Sequence, residues 1–414
     1  MNEPLITNDA VIFGIIMLIL GFVFTTSSSD HPVWKKFYGV VPALLMCYFL
    51  PSLLGTFGII DPEQSRLYFV ASRYLLPASL VLLTLSVDLK EILKLGPKAL
   101  VMFFTATVGI VIGGPIAILI FSFVAPDVIS APPPNEIWRG MTTIAGSWIG
   151  GGANQAAMKE VFEVNGELFS KMVAVDIIVG NTWLGVLLAG IGFTKLIDKK
   201  LKADSSAIET LKEKMQAFQL STARNPSLTD LMKILMIGFI CTGTAHFLAD
   251  IIAPSISENF PGLARFSLTS GFFWLVVIAT TLGVGFSFTR FRALEGAGAS
   301  KIGSVFIYIL VATIGMHMDI MAVFDEPGLF LVGITWMLIH VSLLLLIAKL
   351  IKAPYFFVAV GSTANVGGAA SAPVVATAFH PALAPVGVLL AVLGYVLGTY
   401  GAYLCGILMS AVSP

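Results

Sequence analysis

Two glycine-rich stretches place polar side chains inside otherwise apolar sequence. One surrounds the consecutive glycines Gly150–Gly152, and the other surrounds Gly367 and Gly368. Glycine in a helix interior costs about 1 kcal/mol relative to alanine, so both stretches predict unwound backbone. Unwound carbonyls can bind a cation, and the amides at a helix N-terminus can bind an anion. The candidate binding residues of the two breaks are Ser147, Gly151, Gly152, Asn154, Gln155, Ser362, Thr363, Asn365, Gly367 and Gly368.

Asp176 is a carboxylate inside a run of apolar residues. Ionisable groups within a membrane are costly and usually face a cavity or a partner. We predict that Asp176 binds sodium or carries a proton, with Asn154 and Asn365 as further oxygen ligands, because hard cations favour oxygen. A structural pair with a lysine or a backbone amide is the alternative. Asn181 and Thr399 are further candidates for substrate contact, although Thr399 could instead pack against the second break.

The glycines themselves have a second explanation. Small residues let membrane helices approach closely, with no ligand involved. One such motif would not distinguish packing from binding. Two motifs in matching places favour a binding site, and packing stays open as the alternative.

The composition defines the class of protein. Of 414 residues, 57% are hydrophobic and 12% are charged, whereas about a quarter of a soluble domain is charged. We therefore predict an all-α integral membrane protein. The formal net charge is +0, which gives no indication of a nucleic-acid partner. The sequence has neither phosphate-loop spacing nor the metalloprotease and serine-hydrolase motifs, so we expect neither an enzyme nor a resident cofactor.

The hydropathy pattern predicts the number of membrane crossings. A crossing helix needs about twenty mostly apolar residues. Ten such spans are predicted, at 10–26, 37–58, 67–87, 98–125, 168–193, 228–250, 269–288, 303–322, 328–348 and 382–410. The two broken segments, 140–158 and 355–379, are apolar as well. The expected fold has about ten transmembrane helices plus two broken or re-entrant helical segments.

The segment 195–226 differs from its surroundings because it is polar and rich in lysine. Its apolar residues recur at helical spacing, which predicts an amphipathic helix on the membrane surface. Lysine and arginine concentrate on the cytoplasmic side of membrane proteins. Most of the 24 lysines and arginines fall on one side only if both broken segments are re-entrant. We therefore predict a cytoplasmic linker and re-entrant breaks.

The two halves of the chain, 1–194 and 227–414, resemble each other weakly. The run Gly146–Asn154 of the first half matches the run 361–369 of the second. Each half has five predicted spans and one broken segment, and an odd number of spans inverts the second copy. Inverted repeats with broken helices are typical of secondary transporters. Chance similarity between glycine-rich membrane segments is the alternative.

The run Leu85-Ser86-Val87-Asp88-Leu89, followed by Pro97 and joined with the two breaks, resembles a known superfamily. It includes sodium–bile acid symporters, glutamate–sodium symporters and cation–proton antiporters. The whole chain more closely resembles the YjcL-like family of bacterial membrane proteins of unassigned function. The resemblance implies a panel or scaffold domain and a mobile core that moves as an elevator, but it identifies no substrate. We expect the panel at 10–58 and 228–288, and the core at 67–193 and 303–410.

The expected function is secondary active transport of a small solute, coupled to sodium or protons, across the bacterial cytoplasmic membrane. An organic anion, an amino acid or a short peptide is the expected solute. Neither break contains lysine or arginine, which argues against a multiply charged anion. Two alternatives stay open: a cation–proton antiporter that relies on Asp176 alone, and a non-transporting scaffold or receptor. The expected partners are the solute, the ion, the lipid bilayer and a second copy of the chain in a homodimer.

Overall fold

The computed structural model describes residues 4–39, 41–203, 208, 211, 225–318, 326–380 and 383–414, and this part of the chain is helical with no strand. The predicted surface helix of the linker lies mostly outside these residues. Short turns such as Pro126–Ile129 and Arg290–Ala297 connect the longer helices. The helices that build the fold are α1 (Asp9–Ser27), α2 (Pro32–Tyr38), α3 (Ala43–Thr56), α4 (Leu67–Leu85), α5 (Leu89–Lys94), α6 (Pro97–Val124), α7 (Ile137–Val161), α8 (Gly166–Ile191), α9 (Thr194–Leu201), α10 (Leu228–Asn259), α11 (Gly271–Ser287), α12 (Ala299–Met316), α13 (Gly328–Leu350), α14 (Tyr355–Val366), α15 (Gly368–Phe379) and α16 (Ala384–Val412).

The number of candidate membrane-crossing helices reaches the predicted ten only at its upper limit. Among the described residues, 8 helices are long and apolar enough to cross, or up to 10 if each of two bent pairs is one span. The bent pairs contain α3 and α11, which have 14 and 17 residues and are shorter than the predicted spans 37–58 and 269–288. Helix α10 begins with a capping box between Ser227 and Asp230, because each side chain bonds the other's backbone amide.

The helices pack as two bundles. One bundle contains α1, α3, α4, α10, α11 and α12, and the other contains α6, α7, α8, α13, α14, α15 and α16. We call the first the scaffold and the second the core. The predicted division assigned 67–87 and 303–322 to the core, but α4 and α12 pack mainly against each other and against scaffold helices. Hydropathy carries no information about which bundle a buried helix joins.

Both glycine-broken segments turn back on themselves. In α7, Arg139 Nη1 donates a hydrogen bond to the carbonyl oxygen of Phe162 at 3.2 Å, so the two ends of the segment are neighbours. At the second break, the ring of Phe379 lies 5.3 Å from the ring of Phe356. We name α7 hairpin 1, and α14 with α15 hairpin 2. Each is a helical hairpin whose two ends lie close together, and its re-entrance from one side of the membrane stays a prediction.

The two hairpins enter from opposite ends of α8. Near the start of α8, the Leu168 side chain packs against Gly140 of hairpin 1. Near its end, the Tyr355 hydroxyl of hairpin 2 donates to the carbonyl oxygen of Leu187 at 2.9 Å. At about 1.5 Å of rise per residue, these contacts are roughly 30 Å apart, which is about the thickness of the hydrocarbon core. The hairpin tips therefore meet between the two ends of α8, near Gly180.

One scaffold helix has an irregular first part. Residues Ala71–Leu75 of α4 form a π-helical turn, which is a rare conformation that often occurs at functional sites. Pro77 follows and has no amide hydrogen to give to the carbonyl oxygen of Arg73. Instead, His246 Nε2 of α10 lies 2.8 Å from that oxygen, and since a carbonyl can only accept, Nε2 is the donor. This bond ties α4 to α10.

Candidate functional site

The tips of both hairpins contact the same two helices. A side chain added at Gly180 of α8 would lie 3.5 Å from Val366 of hairpin 2 and 3.7 Å from Nε1 of Trp148 in hairpin 1. A side chain at Gly394 of α16 would meet the carbonyl oxygens of Ile149 and Ala364 at 2.8 and 3.3 Å. A side chain would fit at Gly180 with ordinary contacts, whereas glycine at Gly394 lets the unwound tips approach α16 closely. The breaks that the sequence matched are therefore parts of one site.

The turn at each tip depends on one glycine with a positive φ. Gly151 has φ 72° and ψ −171°, a conformation that is essentially restricted to glycine. In hairpin 2 the positive φ of 58° belongs to Gly368, whereas Gly367 has φ −107°. Gly152 and Gly367 were predicted as candidate site residues together with Gly151 and Gly368. The structure gives the backbone role to Gly151 and Gly368.

Replacing Gly151 with alanine should destabilise the protein by about 1–3 kcal/mol, because a residue with a Cβ is strained at the positive φ of this position. The neighbouring substitution Gly152→Ala is the matched control, since its Cβ would meet nothing nearer than Ile307 at 3.8 Å. Thermal unfolding of the purified variants measures the difference. Equal unfolding midpoints for the two variants would contradict the positive φ at Gly151.

Asp176 lies at the centre of the site and is only 6% exposed. Its Oδ2 accepts a hydrogen bond from Gln155 Nε2 at 2.9 Å. The other end of that amide, Oε1, accepts from the Tyr48 hydroxyl of the scaffold at 3.3 Å. Ser147 of hairpin 1 also interacts with the carboxylate. The structure thus brings together three of the predicted residues, Ser147, Gln155 and Asp176, and links them to a scaffold helix.

Trp148 adds a buried donor to this cluster. Its side chain is 0% exposed, and its Nε1 has no hydrogen-bond partner that meets geometric criteria among the described residues. The indole nitrogen nevertheless lies beside Asp176 Oδ1 near Gly180, and it interacts with the carboxylate as Ser147 does. A buried donor without a partner costs roughly 1–3 kcal/mol. The arrangement is understandable if an acceptor atom of a ligand, or the carboxylate after a small shift, takes this hydrogen.

Asn154 holds hairpin 1 against the last helix. Its Nδ2 donates to the carbonyl oxygens of Gly150 and Tyr395, both at 3.1 Å. Its Oδ1 accepts from the Thr399 hydroxyl at 2.7 Å. This side chain is completely buried, and its bonds go to α16 rather than to Asp176. A role of Asn154 or Thr399 in sodium or substrate binding would require these bonds to open.

Asn365 makes the same pattern of bonds in hairpin 2. Its Nδ2 donates to the carbonyl oxygens of Gly361 and Phe103, and its Oδ1 accepts from the Thr107 hydroxyl at 2.8 Å. The two asparagines do not occupy equivalent positions, because Asn154 follows its break and Asn365 precedes its own. Each one fixes a hairpin to a crossing helix, α16 or α6. Their observed contacts are therefore those of packing residues.

The remaining predicted residues lie around this centre. The Ser362 hydroxyl bonds His340 Nε2 and accepts from Trp183 Nε1, both at 2.8 Å. Thr363 donates to the carbonyl oxygen of Ala359 within its own helix. Asn181 is exposed and its Nδ2 donates to Ile177. The structure therefore does not bring Ser362, Thr363 or Asn181 into hydrogen-bonding contact with Asp176.

Sequence analysis missed several residues that complete the site. Trp148 lies inside the first glycine motif and could have been predicted as a site residue, because a tryptophan beside an unwound break presents an indole N–H donor. Tyr48 and Thr107 gave no signal, because hydroxyl residues in apolar spans are common. His340 was visible as an intramembrane histidine, but its partner Ser362 is 22 positions away.

These features define the class: the chain is an integral, multi-pass membrane protein with an all-helical fold. Its sequence belongs to the family described as a protein of unknown function (DUF819), whose model matches residues 14–412. It is also similar to the uncharacterized membrane protein YjcL of Bacillus subtilis (strain 168). The two are 25% identical over 352 residues, which cover 82% of this chain and 83% of the relative. The predicted likeness to YjcL-like membrane proteins is confirmed, and the wider superfamily stays a prediction.

Proposed function

We propose that this protein is a secondary active transporter of a small solute in the cytoplasmic membrane, coupled to sodium or protons. The observation that supports this most directly is the meeting of two oppositely directed hairpin tips beside a buried carboxylate. Broken helices whose ends meet near the midplane are a common way to build a transport site. A protein that served only as a membrane scaffold would gain nothing from the costs of unwound backbone and a buried Asp176.

The donor groups at the tips fit a cation. Asp176 supplies a carboxylate, Ser147 a hydroxyl, and the breaks supply main-chain carbonyls such as those of Ile149 and Ala364. These are oxygen ligands of the kind that hard cations favour. A proton on Asp176 would neutralise the same charge. Sodium and the proton are therefore alternative ligands of one site in this proposal.

Among the described residues, the polar contacts between core and scaffold include a charged cluster of Lys159 and Glu160 with Tyr68 and Arg73 of α4, and neutral contacts closer to the site. Tyr48 bonds Gln155, the Thr280 hydroxyl lies 3.2 Å from that of Thr399, and Thr281 lies 2.7 Å from the Tyr400 hydroxyl. Bonds between neutral groups contribute only about 1 kcal/mol each. The neutral part of this interface would permit the core to move against the scaffold, and the contacts of Lys159 and Glu160 with α4 would have to open during the movement. We propose an elevator movement in which α4 and α12 stay with the scaffold.

Ion-dependent thermal unfolding of the purified protein tests the proposal. We expect sodium, added in place of choline at constant ionic strength, to raise the unfolding midpoint, because a ligand that binds only the folded state stabilises it. A response to pH without any response to sodium would favour the cation–proton antiporter or a proton-coupled transporter. Indifference to both would contradict transport and favour a scaffold or receptor.

A further inference from the structure

A second polar region lies away from the hairpin tips. A cavity of about 1040 Å³ opens between scaffold helices α4, α10 and α11 and the last turn of hairpin 1. None of the tip residues Gly151, Asp176 and Gly368 lines it. The cavity is as large as typical ligand pockets, which reach about 1,000 Å³. Its charged or titratable lining residues are Arg73, Lys159, Glu160, Glu163, His246 and Asp250.

Arg73 is the least satisfied cation in this cavity. Its single ion pair among the described residues is with Glu160 at 3.9 Å, which is longer than a hydrogen bond. The guanidinium stacks over the ring of Phe272 at 4.6 Å, and its side chain is 34% exposed. A guanidinium with its face on an aromatic ring keeps its N–H edge available. That edge binds a carboxylate through two parallel hydrogen bonds.

Lys159 is already engaged and cannot replace Arg73. Its Nζ donates to the Tyr68 hydroxyl at 2.7 Å and lies 3.4 Å from Glu160 Oε1. The Tyr68 hydroxyl in turn donates to Glu160. This cluster joins hairpin 1 to α4. It leaves Arg73 as the cation in the lining that is free to bind a ligand.

The acidic residues of the lining outnumber the basic ones. The basic residues are Arg73 and Lys159, and the acidic ones are Glu160, Glu163 and Asp250. Burial raises the pKa of Glu160 to about 7, so the excess of negative charge in the lining is small. His246 donates its Nε2 hydrogen to the carbonyl oxygen of Arg73 in α4. A purely anionic ligand would increase this excess of negative charge. A ligand that carries both a carboxylate and an ammonium group would not.

We propose that this cavity is a recognition site for a zwitterionic solute, in the class of short peptides. Arg73 binds the carboxylate, and Glu163 or Asp250 binds the ammonium group. Apolar groups of the ligand rest against aromatic residues of the lining, including Phe69 and Phe239. A single amino acid would fill a small part of the volume, which favours a peptide. As the solute of transport, this ligand rests on the function proposed above, whereas its binding can be measured separately.

Trialanine, N-acetyl-trialanine and trialanine amide form a matched series of probes. They have the same skeleton but carry both charges, only the carboxylate, or only the ammonium group. Calorimetric titration of the purified full chain should show that trialanine binds about tenfold or more tightly than either blocked form, because a hydrogen bond to a charged group is lost with each block. Arg73→Gln should abolish this binding. Glu163→Gln with Asp250→Asn should reduce trialanine to the affinity of the acetylated form.

Arg139→Gln is the matched control for Arg73. Arg139 also stacks on an aromatic ring, that of Trp138 at 5.0 Å, but it is hydrogen-bonded to Glu136 and lies outside the cavity lining. This variant should bind trialanine as the wild type does. Should Arg73→Gln fail to fold, Arg73→Lys keeps the charge and loses the paired donors, so it should weaken binding about tenfold.

Three results would overturn the cavity site. They are the absence of trialanine binding at millimolar concentration, equal binding of the amide, and binding that survives Arg73→Gln. If binding instead disappears in Asp176→Asn, the peptide occupies the hairpin tips, and transport stands while the cavity site does not. Sodium-dependent stabilisation without trialanine binding likewise contradicts only the cavity proposal. These experiments therefore distinguish failure of the cavity site from failure of the proposed transport function.

Discussion

Replacing Asp176 with asparagine is expected to remove the sodium-dependent stabilisation of this protein while leaving it folded. Asparagine has nearly the shape of aspartate, and its carbonyl oxygen can still accept the hydrogen bond that Gln155 Nε2 makes at 2.9 Å. The substitution removes the negative charge that compensates the cation. Sodium at about 100 times its dissociation constant would contribute about 2.7 kcal/mol to wild-type stability, and the variant should lose most of this.

The same substitution should remove the competition between sodium and protons. A protonated carboxyl binds sodium poorly, so lowering the pH should weaken the apparent sodium affinity of the wild type. The effect is limited to about tenfold per pH unit for a single proton. Asparagine has no such proton, and the variant should show no pH dependence of any residual sodium response.

Sodium titrations of both proteins by thermal unfolding, at one mildly alkaline and one mildly acidic pH, measure both effects. Ser170→Ala is a suitable control on the same helix, because the Ser170 hydroxyl only donates to the carbonyl oxygen of Gly166. If Asp176→Asn retains the wild-type sodium response and its pH dependence, Asp176 is structural. The ion site would then have to use other groups, such as Asn154, Gln155 or Asn365.

A disulfide between Thr280→Cys and Thr399→Cys is expected to abolish transport completely and reversibly. The two hydroxyl oxygens, one on scaffold helix α11 and one on core helix α16, are 3.2 Å apart. Sulfur atoms at these positions are close enough to form a bond with little rearrangement. The cross-link would hold the core in one position relative to the scaffold. Reduction should restore the activity, measured as sodium- or proton-driven currents in proteoliposomes.

The control cross-link lies within the scaffold. Asp9→Cys with Ser65→Cys replaces a pair whose oxygen atoms are 2.7 Å apart, and its oxidation should leave transport unchanged. The three native cysteines, Cys47, Cys241 and Cys405, are buried, which limits unwanted pairing. Full activity of the oxidised Thr280/Thr399 pair would contradict a movement of the core against the scaffold.

The class of protein and the breaks at the glycines could be predicted from sequence because they depend on local properties. The charge distribution favoured segments that return to one side, and the hydrogen bond between Arg139 and Phe162 brings the two ends of hairpin 1 together. The proximity of Gln155 to Asp176 agrees with their shared assignment to one site. These predictions needed only hydropathy, glycine content and the cost of a buried charge.

The partners of the buried polar groups could not be predicted. The carboxamide of Asn154 looks like a ligand in sequence, but it is occupied by Tyr395 and Thr399, which are more than 240 positions away. Asn365 is occupied in the same way by Phe103 and Thr107. Hydrogen bonds of this kind depend on helix packing across the whole chain. A single sequence without its contacts cannot distinguish a residue that holds a hairpin from one that holds an ion.

The π-helical turn at Ala71–Leu75 makes the first part of α4 sensitive to the insertion or deletion of a residue. A π turn contains one residue more than an α turn, so deleting a residue there would restore a regular helix. The segment before it would then rotate by about 100° relative to the rest of α4. Tyr68 would no longer face Lys159 and Glu160, the residues it contacts on hairpin 1. Natural variation by insertion or deletion should therefore be excluded from this turn, even where substitutions are tolerated.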